Sequence, residues 1–171
     1  MTKSEQLLDL AEKENIIVKF VDEIPECRSE ALYVARHGIR MILLANFLKD
    51  NMIHMTEVLA EELGHHFTSA GNNINPTNYF DKLTIAKCEN KALRWACNFL
   101  VPIDELMVAL RKNLSNIHEL SDELSVSKDI LLQSLYYLSL NHDYLHITDN
   151  RYLILSNYPN VYIYITNFKM R

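Results

Sequence analysis

One predicted helix constrains the fold of this chain more than any other segment. Apolar side chains recur at helical spacing between residues 52 and 68, namely Ile53, Val58, Leu59, Leu63 and Phe67. Near the end of this helix, residues 60–67 read Ala-Glu-Glu-Leu-Gly-His-His-Phe. Glu61 and His65 are four residues apart, so a helix places them on one face, one turn from each other. Gly64, between them, is costly inside a helix and predicts a close neighbour at that point, such as a strand or a substrate chain.

A carboxylate and an imidazole at this spacing have the geometry of two ligands for one metal ion. Glu62 lies about 100° further round the same turn, where its carboxylate reaches a water bound to that ion. The arrangement matches the H-E-x-x-H helix, in which two His bind zinc and the Glu is the general base. Here Glu61 stands in place of the first His. A third protein ligand is needed, and Glu89, 24 residues after His65 on the next predicted helix, is the candidate.

The predicted metal ligands are therefore Glu61, His65 and Glu89, and the predicted catalytic residue is Glu62. We expect Zn²⁺ as the cofactor, with Mn²⁺ or another divalent ion as the alternative, because two carboxylates and one imidazole also suit harder ions. The competing interpretation is that Glu61 and His65 are a solvated pair on the surface, which is the commoner meaning of a Glu and a His at this spacing. Glu89 would then be an ordinary exposed residue.

The first half of the chain predicts a helix followed by a small, mainly antiparallel sheet. A helix is expected at residues 4–14, with Ser4 as its N-cap. Strands are expected at residues 16–21, 31–35 and 40–45. A turn is expected at residues 22–28, and a turn at His37-Gly38 joins the second and third strands as a hairpin. With the helices that follow, these segments predict an α+β fold.

The second half predicts helices and then β-structure. Residues 71–76 are expected to form a loop and residues 79–84 to be irregular. Helices are expected at residues 85–100, 103–112, 116–124 and 127–140, with Ser127 as the N-cap of the last. Strand-like segments follow at residues 144–147, 152–155 and 161–165 and predict a C-terminal β-hairpin. We expect two domains, residues 1–112 and residues 113–171, the second packed on the first.

Charge and cysteine usage limit the location and the partners of the protein. The net charge is −5, with 17 Lys and Arg against 22 Asp and Glu, so a basic footprint for duplex DNA is not expected. The N-terminus has no apolar signal-peptide region, and no apolar run reaches the roughly 18 residues that span a bilayer. Cys27, Cys88 and Cys97 form no C-x-x-C pair, which favours free thiols in a reducing compartment. We therefore expect a cytoplasmic protein without a membrane partner.

The order of these features resembles the ImmA/IrrE family of phage and mobile-element metallopeptidases. The matching segments are residues 7–16, 31–33, 41–45, 58–66 and 89–102, and the likeness extends over roughly residues 5–112. Residues 89–102 look like the family's block E-x-x-A-x-x-[FW]-A-x-x-L-L-x-P, with six positions in register. Glu89 is the first residue of this block.

The resemblance implies a zincin-like metallopeptidase fold and a function. His65 and Glu89 match metal ligands of the family, Glu62 matches its general base, and Glu61 occupies a position where the family usually has His. The implied activity is metal-dependent cleavage of a cytoplasmic protein, a helix-turn-helix repressor of a phage or mobile element, with Glu62 activating a metal-bound water. The substrate is expected to pair as an added strand along residues 40–45. The alternative is a catalytically weak or inactive relative that binds and sequesters such a repressor.

A third hypothesis is DNA binding through the helical pair at residues 116–140. Glu119, Asp122, Glu123 and Asp129 face one Lys128 in this segment, which gives a net charge of −3. Such a surface repels phosphate, so direct binding of nucleic acid is not expected.

Overall fold

The computed structural model describes residues 1–24, 29–68, 79–112, 114 and 116–166. The turn predicted at residues 22–28, Cys27 and the loop predicted at residues 71–76 lie wholly or partly outside these ranges. Two compact units are present, residues 1–99 and residues 100–171. The domain division at residue 112 stays a prediction. Within the described ranges, neither Cys88 nor Cys97 is in a disulfide, and no helix is both long and apolar enough to cross a membrane.

Helix α1 (Lys3–Lys13) begins at a different cap from the one predicted. Its N-cap is Thr2, and Ser4 lies inside the helix. The Thr2 hydroxyl accepts from the Glu5 amide at 3.2 Å, and the Glu5 carboxylate accepts from the Thr2 amide at 2.7 Å. These reciprocal hydrogen bonds form a capping box and satisfy two amide donors at once. Ser4 has no acidic residue three positions later and cannot form this pair.

Three strands form the sheet of the first unit, β1 (Ile16–Val21), β2 (Ala31–Arg36) and β3 (Ile39–Ala45). The order is β1-β3-β2, with β1 parallel and β2 antiparallel to β3. The predicted hairpin at His37-Gly38 is confirmed, and both residues have positive φ, +52° and +78°, as a tight two-residue hairpin requires. Because β3 is the central strand, the prediction that a substrate pairs along residues 40–45 is wrong.

The predicted central helix is confirmed as α2 (Met52–Thr68), which packs against β2, β3 and α1. A short 3₁₀ turn at Asn46–Asp50 precedes it and was not predicted. Helix α3 (Tyr79–Leu100) begins six residues before the predicted start, so the prediction of irregular structure at 79–84 is wrong. No Gly or Pro interrupts these residues. The core of this unit includes Leu7, Ala11, Ile42, Leu44, Leu59, Leu63, Ala92 and Ala96.

The second unit contains three helices and a second sheet. The helices are α4 (Ile103–Arg111), α5 (Ile117–Leu124) and α6 (Lys128–Ser139). The strands are β4 (Tyr144–Thr148), β5 (Arg151–Ile154) and β6 (Tyr162–Ile165). Ser127 is the N-cap of α6, as predicted, and the C-terminal hairpin is extended by β6 into a three-stranded antiparallel sheet. Across the described residues, three of the four strand pairs are antiparallel, which agrees with the predicted α+β class.

Candidate metal centre

The polar face of α2 lies opposite a face that is fully buried. Leu59, Ala60 and Leu63 have no exposed surface and fix the rotation of the helix about its own axis. This rotation leaves Glu61 and His65 half-buried, one turn apart on the same face. A half-buried carboxylate beside an imidazole is the arrangement that the sequence predicted for this helix.

The approach of α3 to α2 is set by Gly64. A Cβ atom at this position would lie 2.4 Å from the main-chain oxygen of Ala92, so any side chain there would force the two helices to shift. The close neighbour predicted for Gly64 is therefore α3, rather than a strand or a substrate chain. Glu89 lies three residues before Ala92, and its Oε2 atom is 3.3 Å from Nε2 of His65. Because the two helices touch at Gly64, a residue from the second helix reaches the polar face of the first.

Glu61, His65 and Glu89 each offer one donor atom to a common point. The three donor atoms lie within 4.8 Å of one another. Two ligands on opposite sides of one ion, each at about 2.2 Å, are about 4.4 Å apart, so the set fits a divalent cation with small side-chain rotations. The three residues predicted as ligands from the sequence therefore lie close together in the structure. Their binding of a metal, and the role of Glu62, stay predictions.

Several acidic groups lie close together at this site, and their mutual repulsion favours the binding of a cation. Burial raises the pKa of the Glu61 carboxyl, and the charge of Glu89 raises it further, while the neighbouring His65 lowers it. Burial also raises the pKa of Glu62 to about 7, with further increases from the charges of Glu61 and Glu89. Carboxylates crowded in this way favour protonation unless a positive charge lies among them. A divalent ion at the centre would supply that charge.

Two side chains near the site were not identified as functional by sequence reasoning. The Glu62 carboxylate accepts a hydrogen bond from the main-chain amide of Tyr33 on β2, which lowers its pKa and partly offsets burial. His66 lies on a different face of α2 from His65 and shares a hydrogen bond with the Tyr33 hydroxyl. An aromatic residue in β2 was visible in the sequence. Its pairing with α2 depends on tertiary structure.

An aromatic stack holds α2 and α3 together beside the site. Trp95 lies between Phe67 and Phe99, with ring centroids 5.0 Å and 5.4 Å apart and nearly parallel planes. Trp95 and Phe99 are both half-buried. Stacked aromatic pairs contribute about 0.5–1.5 kcal/mol beyond the area that they bury. The stack therefore supports the helix spacing on which the position of Glu89 depends.

Comparison with known proteins supports this description at the level of family and fold. A family model described as Peptidase_M78, IrrE N-terminal-like domain, matches residues 28–136. A solved structure of a Mycobacterium tuberculosis transcriptional regulator is similar to this chain, with a TM-score of 0.56 and 17% sequence identity. The match covers 78% of this chain and 40% of the regulator, so the chain corresponds to less than half of that protein. A comparison with curated protein sequences gave no match.

Proposed function

Because the chain belongs to the Peptidase_M78 family of IrrE N-terminal-like domains, we propose that it is a metal-dependent endopeptidase that cleaves another protein. The observation that carries this proposal is the convergence of Glu61, His65 and Glu89 within 4.8 Å, next to a glutamate that belongs to the same turn of helix. The family is a peptidase family, and the donor set is suited to the divalent ion that such a peptidase needs.

The side chains of this site have different parts in the proposed reaction, namely holding the ion and transferring a proton. Glu61, His65 and Glu89 would hold the ion, which when bound makes a coordinated water more acidic and polarises the scissile carbonyl. Glu62 takes a proton from the attacking water and passes it to the leaving amine. Without an ion, burial raises the pKa of Glu62, and a bound divalent ion would lower it again, so the carboxylate would be ionised and able to accept this proton.

The substrate would approach along β2. This strand lies at one edge of the sheet in the described part of the chain, and it packs against α2. An extended peptide can add to such an edge through main-chain hydrogen bonds. β2 replaces residues 40–45 as the proposed docking strand, because β3 is paired on both sides.

We propose zinc as the ion and a helix-turn-helix repressor of a phage or mobile element as the substrate, in the cytoplasm. Imidazole and carboxylate are both ordinary zinc ligands, and Mn²⁺ is the alternative for a site with two carboxylates. The similar fold of a transcriptional regulator fits a role in gene control. The net charge of −5 supports a protein partner over direct contact with nucleic acid.

The second candidate function is sequestration of the same partner without cleavage. Glu61 favours it, because a second carboxylate in the ligand set gives the ion more negative charge and makes it a weaker Lewis acid than the usual two His and one Glu. Such a protein would keep the fold and the docking strand while its hydrolytic rate is low. Cleavage and binding therefore have to be measured separately.

Metal content tests the proposal first. The wild type is dialysed with zinc, then against metal-free buffer, and analysed by mass spectrometry beside Glu61→Ala and Glu89→Ala. We expect about one ion per wild-type chain and a large loss in both variants, as three ligands become two. Glu12→Ala, on the exposed side of α1, is the matched control and should keep the metal. Equal metal content in all four proteins would contradict the site.

Cleavage is then measured with candidate repressors, comparing the wild type with Glu62→Gln. The variant should retain the metal and lose cleavage, because the amide cannot accept the proton. If the wild type binds metal and a repressor but cuts nothing, sequestration becomes the function. If it does neither, both candidate functions are wrong.

A further inference from the structure

One side of the second sheet carries a continuous surface of aromatic side chains. Its strands pair in the order β4-β5-β6, and alternate residues of each strand point to opposite sides of the sheet. On one side, Leu145 and Leu153 are buried in the core. The other side, which we call the tyrosine face, is formed by Tyr144 and His146 of β4, Tyr152 and Ile154 of β5, and Tyr162 and Tyr164 of β6.

The strand register orders the tyrosine face into two rows of three side chains. The rows are Tyr144, Ile154 and Tyr162, and His146, Tyr152 and Tyr164. The central ring of Tyr152 contacts two of its neighbours, with ring centroids 5.8 Å from Tyr144 and 5.0 Å from His146. These contacts restrict the rings before any partner binds, which lowers the entropy cost of an association.

Much of this aromatic surface is open to solvent. Tyr144, Tyr162 and Tyr164 are 57%, 47% and 51% exposed, and His146 is exposed as well. Because a whole tyrosine side chain has roughly 150–250 Å² of surface, the tyrosine face leaves about 450 Å² of mainly apolar surface uncovered. A single exposed ring needs no explanation, but a contiguous patch of this size is typical of an interaction site.

The charge of this region indicates which kind of partner fits. None of the six side chains is a carboxylate, a lysine or an arginine. Within residues 143–166, Asp143 and Asp149 outnumber Arg151, so these strands and turns offer no basic rim for a nucleic acid. In a two-fold contact between two copies, the same patch meets itself, and charged side chains near its centre would repel their own copies. A face without such charges avoids this repulsion, and its rings can pair with rings.

We propose that the tyrosine face is the surface through which two copies of this chain associate. A specific interface buries at least about 600 Å² on each partner, and the tyrosine face supplies about three quarters of that area. The residues around it would provide the remainder as a polar rim. The interface is therefore small, and we expect a dissociation constant on the order of 10 µM. This association does not depend on the proposed peptidase function.

Sedimentation velocity of the full chain tests the association. We expect a monomer at about 1 µM and mostly dimer at about 300 µM. Each copy has a net charge of −5, so salt should strengthen the dimer by screening the repulsion between copies. The dissociation constant should fall several-fold between about 50 and 500 mM NaCl. A monomer at every concentration, or a dimer that salt dissociates, would overturn the proposal.

Substitutions identify the surface that associates. Tyr164→Lys places a charge in the tyrosine face and should raise the dissociation constant about ten- to thirty-fold, as for a central aromatic residue of an interface. Val108→Lys, at a position of α4 that is 52% exposed, changes the net charge by the same amount and is the matched control. It should alter the dissociation constant less than about two-fold. Should Tyr164→Lys fail to fold, Tyr144→Ser on the other edge strand replaces it, with an expected rise of about ten-fold. An unchanged dissociation constant in the folded variant contradicts the proposal.

NMR of protein with labelled tyrosines locates the contact during dilution. The ring signals of the tyrosine face should shift, whereas those of Tyr33 and Tyr137, which are buried, should not. Shifts confined to residues outside the tyrosine face would mean that the copies associate elsewhere. The same sample is titrated with a proline-rich peptide and with oligothymidine, which are other ligands of aromatic surfaces. Binding of either to the tyrosine face of a chain that stays monomeric would replace the second copy as its partner.

Discussion

Glu62→Gln should stabilise the metal-free protein, and the gain should depend on pH. The pKa of Glu62 is raised from 4.5 to about 7 in the folded protein, chiefly by burial. Below pH 4.5 the carboxyl is protonated in both the folded and the unfolded state, so it does not lower the free energy of unfolding. As the pH rises from 4.5 towards 7, the unfolded chain ionises first, so the folded state loses stability. Above pH 7 the loss is complete. Gln is neutral at every pH, so the variant does not lose this stability.

The size of the effect follows from the shift in pKa. The change from 4.5 to about 7 corresponds to about 3 kcal/mol at pH 8, at about 1.36 kcal/mol per unit. At pH 5 the carboxyl is largely ionised in the unfolded chain and almost fully protonated in the folded protein. The same relation then gives a loss of stability of about 1 kcal/mol. Gln has nearly the shape of Glu and fills the same space. The gain of the variant should therefore approach these values.

Urea denaturation with EDTA at pH 5 and pH 8 measures the gain directly. A difference of about 2 kcal/mol between the two pH values is expected, and at pH 8 the midpoint of thermal unfolding should rise by roughly 6–12 °C for a chain of this length. Glu12→Gln, at an exposed position of α1, should show no such difference. If the stability of Glu62→Gln exceeds that of the wild type equally at both pH values, or not at all, burial of an ionised Glu62 is not the cause.

Three further substitutions test the helix contact, a cap and the ligand set. Gly64→Ala should destabilise the protein by about 1–3 kcal/mol and weaken metal binding, because the added Cβ displaces the Ala92 carbonyl and Glu89 with it; urea denaturation and zinc titration measure both. Ser127→Ala should cost about 1 kcal/mol in thermal unfolding by removing the N-cap bond to Ile130, with Ser156→Ala as the exposed control. Glu61→His should raise the affinity for zinc relative to Mn²⁺ in competitive titration, since imidazole is the softer ligand; an unchanged ratio would mean that Glu61 does not contact the ion.

Features that depend on local spacing were predictable from the sequence. The bounds of α2 follow from apolar residues at intervals of three and four, and the Glu61–His65 pair follows from the pitch of the helix. The hairpin at His37-Gly38 and the cap at Ser127 follow from residues that favour one local conformation. Each of these predictions needs information from fewer than about 20 neighbouring residues.

Features that depend on distant contacts were not predictable in this way. The strands β1, β2 and β3 all have apolar runs, and nothing in them says which lies in the centre or that β1 pairs in parallel. Gly64 indicated a close neighbour, but the identity of α3 as that neighbour depends on how the helices cross. Thr2 and Ser4 have the same capping chemistry, and only the position of Glu5 decides between them.

The position of β2 at the sheet edge connects the wrongly predicted strand order with the candidate site. If β3 were at the edge, as the sequence suggested, β2 would be paired on both sides and could not accept a further strand. With β2 outermost, every second amide of the strand is directed away from β3, towards the edge that an added substrate strand would use. The strand order therefore determines where a substrate would dock, which no motif within α2 could reveal.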